Sequence, residues 1–197
     1  MATVMIDLSV SLDGYIAGPA DGPDQPLGEG GAALFAWMGA GPGNEESPRV
    51  NPTPASQQVI DEWLSNTGAL IVGRRTFDIA RGWAEGHPID GPIFVLTHQV
   101  PQEGTWSPRV TFVTEGFERA YAMARDAAGD GVVSLAGADV ARQGLEAGVV
   151  DEIQLSIAPV LLGGGVRLLD GIGPVSLEQT RVIEGDAVVH LRYRVGN

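Results

Sequence analysis

Three short runs in this chain leave no polar face for water. Residues 69–72 read Ala-Leu-Ile-Val, residues 93–96 Ile-Phe-Val-Leu, and residues 132–135 Val-Val-Ser-Leu. A strand turns alternate side chains to opposite faces, so runs like these must be covered on both sides. Parallel strands sandwiched between helices meet that demand. The intervening sequence agrees, with helical spacing over 75–81, 117–128 and 139–147 and further strands over 110–114 and 151–158. Past Gly165 the pattern changes. Residues 175–183 and 187–195 read as an antiparallel hairpin turning at Glu184-Gly185-Asp186. The expectation is one three-layer α/β/α domain over residues 1–197. Its mixed sheet is mostly parallel and carries an antiparallel C-terminal hairpin.

The N-terminal third is less regular. Val4, Ile6, Leu8, Val10 and Leu12 alternate with Met5, Asp7, Ser9, Ser11 and Asp13, a strand of period two. Residues 18–31 are rich in Gly, Pro and Asp and read as a loop, and 32–38 as a short helix. Residues 39–54 hold four prolines and three glycines and form a second loop, a natural wall or lid for a ligand. Ser56 is the expected cap of a helix carrying Val59, Ile60, Trp63 and Leu64, which Gly68 stops.

Composition excludes whole classes of chemistry. There is no cysteine, hence no disulfide, thiolate nucleophile or cysteine-held metal. All 12 basic residues are arginine, so a lysine Schiff base and a P-loop lysine are absent too. A formal charge of −13 disfavours nucleic acid and anionic membranes as partners. No apolar run reaches the ~20 residues of a membrane helix, and the N-terminus lacks the pattern of a signal peptide. A cytoplasmic protein with a small-molecule substrate is expected.

In parallel sheets ligands gather beyond the carboxyl ends of the strands. Three junctions there carry chemistry. At Gly73-Arg74-Arg75-Thr76 a buried run breaks at glycine, and the chain's only adjacent basic pair opens a helix-like segment. Guanidinium forks and free helix N–H groups suit a phosphate, here one on a cofactor that carries a 2′-phosphate. Gly137-Ala138-Asp139-Val140 is a second small-residue helix start, suited to a pyrophosphate. At the third, Thr97 offers a hydroxyl and His98 a ring for ribose or adenine. His87 and His190 have no partner at metal-ligand spacing, so no metal is expected. The Gly163-Gly164-Gly165 triplet is a structural turn. Asp61 and Glu62 are adjacent on a helix, so at most one can face a cleft. No Gly-x-Ser-x-Gly and no Gly-x-Gly-x-x-Gly follows the first strand, which argues against a serine hydrolase and a doubly wound dehydrogenase.

Taken in order, the motifs resemble one family. Ser11-Leu12-Asp13-Gly14-Tyr15-Ile16-Ala17 is similar to the S-x-D-G-x-I-A motif of the riboflavin-biosynthesis reductase (RibD C-terminal) domain, which has the dihydrofolate reductase fold. Val72-Gly73-Arg74-Arg75-Thr76-Phe77 resembles its G-R-x-T motif. Residues 148–153 and 157–165 resemble its G-L-V-D-E-L and A-P-V-L-L-G-G-G signatures. The resemblance implies an NADPH-dependent reductase akin to 5-amino-6-(5-phosphoribosylamino)uracil reductase. It would deliver hydride to a C=N or C=O carbon of a small heterocyclic or ribosylamino substrate.

In that frame Arg74 meets the 2′-phosphate with Arg75 beside it, and Thr76 meets the phosphates. Gly137, Ala138, Asp139 and Val140 hold the pyrophosphate. Ile16 and Ala17 border the nicotinamide, and Thr97 and His98 lie near the adenosine. Ser11, Tyr15 and Gln57 would contact substrate. Tyr15 stands where riboflavin-pathway reductases commonly carry lysine, and Gln57 where dihydrofolate reductases carry their helix acid, with Asp61 one turn on. These departures imply a free-standing reductase with a substrate of its own. The proton that must accompany the hydride is assigned to Asp13, with Asp61 or an ordered water as alternatives. A dihydrofolate reductase proper, or a non-catalytic nucleotide- or pterin-binding protein on the same fold, are the competing readings. The apolar residues Val188, Val189, Leu191, Tyr193 and Val195 are expected to form an edge that a second subunit covers in a homodimer.

Overall fold

A computed structural model describes residues 2–39 and 52–196. Most of the loop expected over 39–54 thus lies outside the described residues. Among the described residues ten strands and four α-helices follow one another in chain order. They are β1 (Thr3–Ser11), β2 (Tyr15–Ala17), α1 (Pro54–Asn66), β3 (Thr67–Gly73), α2 (Arg74–Ile79), β4 (Ile93–Leu96) and β5 (Val110–Val113). After these come α3 (Phe117–Ala128), β6 (Val132–Ala136), α4 (Ala138–Glu146), β7 (Glu152–Ala158), β8 (Val166–Arg167), β9 (Leu177–Gly185) and β10 (Val188–Val195). The main sheet has the order β5-β4-β3-β6-β1-β7-β10-β9. Its first six strands are parallel, and β10 and β9 continue it antiparallel.

Both faces of the apolar runs are covered. Ala69 and Ile71 join Val4, Ile6, Val133 and Leu135 beneath α3 and α4, against Phe117, Ala120, Ala124, Val140 and Ala141. Leu70 and Val72 turn the other way, to Phe77 of α2, Ile89, Ile93 and Val95, with Trp63, Trp83 and Trp106 packed around them. Pro54 opens α1, and Thr53 caps it by accepting from the Ser56 N–H at 3.2 Å. The cap expected at Ser56 is therefore three residues earlier. Ser56 turns inward instead, its Oγ 3.1 Å from His190 Nε2. Proline at the first helical position explains the shift, since it presets the backbone and needs no donor. Residues 31–38 form a 3-10 helix rather than an α-helix.

Two features were not expected. β2 and β8 pair in a small second sheet, joining the S-x-D-G-x-I-A turn to the segment after the triple glycine. And β10 lies between β7 and β9, so the open edge on that side is β9. The edge assigned to Val188–Val195 is thus covered by the chain's own β9.

The glycine triplet is a turn with two distinct demands. Gly163 has φ +69° with open space around it, whereas Gly165 has φ +114° and a Cβ there would sit 2.1 Å from Ala17 O. Gly165→Ala is therefore expected to destabilise the fold by more than ~1 kcal/mol, and Gly163→Ala by less, in urea unfolding.

Candidate functional site

The carboxyl edge of the parallel strands brings the expected junctions together. Val72 pairs with Ala136, so Gly73 and Gly137 follow on neighbouring strands. Gly137 has φ +113°, and a Cβ there would lie 3.1 Å from Thr76 Oγ1. Only a residue without a side chain leaves that gap open. Next along the sheet, Thr97 follows the end of β4 at Leu96. Arg74 reaches across to it, donating from Nη1 to Gln99 O at 3.0 Å, while its Nε bonds Asp78 at 2.8 Å. The edge thus carries a guanidinium, a threonine hydroxyl and the N-terminus of the nine-residue α4, a set suited to phosphate groups.

Other details differ from the sequence reading. The two arginines diverge. Arg75 is tied to Asp21 in the loop before Gly31, with Nε to Oδ2 at 2.9 Å and Nη2 to Oδ1 at 2.5 Å. Helix α2 has six residues, too short for much of a macrodipole. Both arginines are ion-paired, Arg74 with Asp78 and Arg75 with Asp21, and among the described residues Arg74 is the one whose guanidinium also reaches the segment after β4. Thr97 spends its hydroxyl on Gln99 O at 3.0 Å, and His98 is exposed. Asp139 pairs outward with Arg142 and Gln143. Val140 is buried in the core, so only its backbone is left for a ligand.

Asp13 is a clamp. Its carboxylate accepts from Ser11 Oγ at 2.6 Å, Leu162 N at 3.1 Å and Gly163 N at 2.7 Å. These donors, Ser11 foremost, hold its pKa down to about 2. Near neutrality the carboxylate is ionised, and its three donors use it to fasten the turn. Ser11 is spent on the same turn, accepting from Tyr15 N at 2.9 Å. Tyr15 is buried, with the Arg167 guanidinium 4.6 Å over its ring. Ala17 is buried too, and Ile16 packs against the main core. Gln57 and Asp61 bond each other at 2.8 Å on the exposed side of α1. Neither lines the two cavities beneath α1. Adjacent helix residues point about 100° apart, and the acid that α1 turns to the sheet is Glu62.

Beneath α1 lies a cleft of about 330 Å³ lined by Met5, Asp7, Glu62, Trp63, Ser134 and Arg192, among others. A smaller cavity of about 90 Å³ continues it past Ser9, Trp37 and Ser156. Asp7 lines both. Across the sheet Asp7, Gln154, Arg192 and Arg181 stand in one row of cross-strand partners. Arg192 Nε donates to Gln154 Oε1 at 2.8 Å, and Gln154 Nε2 donates to Asp7 Oδ2 at 3.0 Å. Arg181 grips Glu62, with Nη2 to Oε1 at 3.0 Å, and holds its pKa below the usual range. Burial has the opposite effect on Asp7 and pushes its pKa up to about 7, against the pull of Arg192. The sequence reading missed Asp7. Its only signal there was a lone carboxylate on an otherwise apolar and small-residue strand. His190 is a satisfied core histidine, 2.8 Å from Ser156 Oγ and edge-on to Trp37, its pKa lowered by burial and by the charge of Arg181.

The family model of the RibD C-terminal domain matches residues 2–191. The chain belongs to that family. Its domain relatives in solved structures share the dihydrofolate reductase-like fold. A protein from Shewanella sp. PV-4 assigned to riboflavin biosynthesis is 23% identical, with TM-score 0.71 and full coverage of both chains. RibD of Acinetobacter baumannii is 18% identical with TM-score 0.63, and this chain spans 59% of it. Dihydrofolate reductase from Enterococcus faecalis, in complex with NADP(H), is 16% identical with TM-score 0.62, covering 99% of this chain and 97% of that one. A search of curated protein sequences finds no match. Membership of the family supports a reductase. Among the described residues no helix is long and apolar enough to cross a membrane.

The raised pKa of Asp7 has a thermodynamic signature. Between 3.8 and about 7 the folded chain binds this proton and the unfolded chain does not, so ionising Asp7 weakens the fold as pH rises through that window. Asp7→Asn should remove the loss. Its melting temperature relative to wild type should climb across that range and level off above it, for a gain on the order of a few kcal/mol.

Proposed function

We propose that this chain is an NADPH-dependent reductase that delivers hydride to the C=N or C=O carbon of a small heterocyclic or ribosylamino substrate. The observation that carries the reading is the meeting of Arg74, Thr76 and the side-chain-free Gly137 on adjacent strand ends. The gap that a Cβ would fill, the guanidinium and the α4 N-terminus fit the phosphates of a dinucleotide. Membership of the RibD C-terminal family supports it independently.

Gly73, Arg74 and Thr76 would hold the phosphate on the ribose and its neighbours. Gly137 and the backbone of Ala138, Asp139 and Val140 would hold the pyrophosphate, with Arg75 nearby on its tether to Asp21. Thr97 and His98 would border the adenosine end, and Ile16 and Ala17 the nicotinamide end. When bound, the coenzyme supplies two electrons and a hydrogen nucleus as hydride. The chain's own part is to fix the orientation and to exclude water. Asp13 serves this by fastening the turn after β1 to Leu162 and Gly163. Tyr15 stands in place of a lysine, and the cation at this turn is instead Arg167, its guanidinium 4.6 Å over the Tyr15 ring, which supports a substrate different from that of the riboflavin pathway.

Arg74→Ala should lower NADPH affinity by roughly 1.5–3 kcal/mol, the scale of one charged hydrogen bond, and leave NADH affinity almost unchanged. Quenching of tryptophan fluorescence during titration measures both. Equal losses for the two coenzymes would contradict contact between Arg74 and a 2′-phosphate.

The proposal includes a homodimer. The outer hairpin exposes Leu177 at 44%, Val182 at 47% and Val189 at 38%, an apolar surface beside the open β9 edge. Sedimentation at micromolar concentration should give twice the chain mass, and Val182→Glu should shift the species toward monomer. A wild-type monomer would contradict it.

A further inference from the structure

We propose that the cleft beneath α1 is a second ligand site, separate from the coenzyme edge, and that it takes a flat organic cation (an amidinium, a guanidinium or a protonated aminoheterocycle) between Asp7, Glu152 and Ser134. The walls of the cleft include Thr3, Thr67, Val132 and Glu152, the first residues of β1, β3, β6 and β7. Gly73, Thr97 and Gly137 lie at or just past the other ends of their strands. The seven residues of β3 hold the two places roughly 20 Å apart. A ligand in the cleft therefore neither receives hydride nor shares the dinucleotide's seat, and the site stands whether or not the reductase reading does.

Charge selects the ligand. The arginines near the cleft are engaged elsewhere: Arg192 with Gln154 and Glu62, Arg181 with Glu62, and Arg194 with Glu178. Asp7 meets Arg192 only through Gln154, whose Nε2 donates to Asp7 Oδ2 at 3.0 Å. Glu152 stands opposite Arg194 in the sheet and has no ion pair among the described residues. Two carboxyl groups thus border the cleft with no cation in direct contact, which disfavours an anionic ligand. Among the described residues no group of three acids or histidines could hold a metal ion. The complementary charge belongs to an organic cation.

An independent observation calls for a donor on that cation. Ser134, 1% exposed and lining the same space, has a hydroxyl oxygen with no hydrogen-bond partner. Its neighbours Val133 and Leu135 pack beneath α3 and α4, so Ser134 faces the side of the sheet where the cleft lies. A buried hydroxyl left unpaired is costly, and a ligand N–H donated to it removes the cost. Register sets the spacing of the anchors. Ser134, Met5 and Glu152 form one cross-strand row, and Asp7 follows Met5 on the same face of β1. The acids and the hydroxyl therefore surround Met5, whose unbranched side chain shifts rotamer readily and admits a ligand to the hydroxyl. Trp63 supplies an aromatic wall for a flat body. At about 330 Å³ the cleft suits a ligand of one or two rings.

Asp7 makes the site responsive to acid. Burial raises its pKa to about 7, and a cation favours the ionised form, so proton and ligand compete for it. Affinity therefore falls as pH drops below about 7, by at most about tenfold per pH unit, and levels off above it. The other charged groups facing the cleft are Glu62 of α1, Glu152 of β7, Arg192 of β10 and Asp130 before β6, with Arg181 of β9 behind Glu62. Arg181 holds the Glu62 carboxyl below its usual range, and the arginines keep their charge throughout.

The test is calorimetric titration of the whole chain with benzamidine, which stays protonated across this range, and with benzamide, its neutral isostere. Wild type should bind one benzamidine per chain, more tightly as pH rises from about 5 to about 8, and benzamide at least about tenfold more weakly. Asp7→Asn should weaken benzamidine roughly tenfold or more and flatten the pH dependence. Glu152→Gln, at a partly buried position, repeats the comparison should the asparagine variant fail to fold, with weakened binding whose pH dependence persists. Methionine methyl carbon-13 spectra place the ligand. The Met5 signal, identified by its loss in Met5→Leu, should move on addition of benzamidine, and that of Met123 on α3 should not. No binding, equal binding of benzamide, affinity indifferent to pH, wild-type affinity in the variants, or movement of Met123 in place of Met5 would overturn the proposal. Saturating benzamidine should leave NADPH titration unchanged, and competition between the two would place the cation at the coenzyme edge and equally overturn it.

Discussion

Strand β1 lies inside the sheet between two parallel neighbours, and its strict alternation divides the molecule into a structural half and a chemical half. Val4 and Ile6 on one face are buried in the main core beneath α3 and α4. Asp7, Ser9 and Ser11 on the other face make polar contacts with Gln154, Trp37 and Asp13. A slip of one residue would exchange the two sets, placing a carboxylate in the core and isoleucine in the cleft. The pairing of Met5–Ser11 with Glu152–Ala158 of β7 forbids that slip. From it follow the position of Asp7 beside Gln154 and the delivery of Asp13 to the glycine turn.

Polar groups on that chemical face are tolerated because they form one connected row. Glu62, Arg181, Arg192, Gln154 and Asp7 pass hydrogen bonds from the helix to the central strand. A buried ion without a partner costs several kcal/mol, whereas a satisfied network costs far less and fixes orientation. The row has two positive and two negative formal charges when Asp7 is ionised. Its desolvated end is Asp7, and that is why burial, not the nearest cation, decides its protonation. At the opposite extreme, Asp13 receives donors from three directions and is held ionised. Two aspartates six residues apart on one strand and its turn thus differ in character because of what surrounds them.

Much of the fold was legible in the sequence, and the reasons are local. The runs at 69–72 and 93–96 read as doubly covered strands because no residue in them tolerates water. Helix α3 begins and ends where periodicity and glycine placed it, at Phe117–Ala128. Two of the carboxyl-edge junctions, at Gly73 and Gly137, stood out because glycine after a buried run marks a close approach, whereas Thr97 and His98 stood out only as a strand end. What was not legible depended on partners distant in sequence. Asp7 acquires its character from Gln154 and Arg192, which reach it only through register. The choice between Asp61 and Glu62 needed the direction in which α1 lies on β9 and β10. The adjacency of Arg74 and Arg75 suggested joint action, but one arginine is claimed by Asp21, a residue of a loop whose path no periodicity describes.

The family and the fold set limits within which this chain has its own features: tyrosine after the Asp-Gly turn, glutamine where a helix acid would stand, and an aspartate on the central strand. Together they describe a member of the family whose proposed coenzyme edge follows the family's motifs and whose face beneath α1 carries a charged row of its own. The coenzyme edge is the claim on which the rest stands. Calorimetric titration of the wild-type chain with NADPH and, separately, NADH tests it most directly. The account predicts one NADPH bound per chain and NADH bound about tenfold more weakly or worse, the difference a charged contact to one phosphate makes. Heat of binding absent with both, or equal affinity for the two, would contradict it.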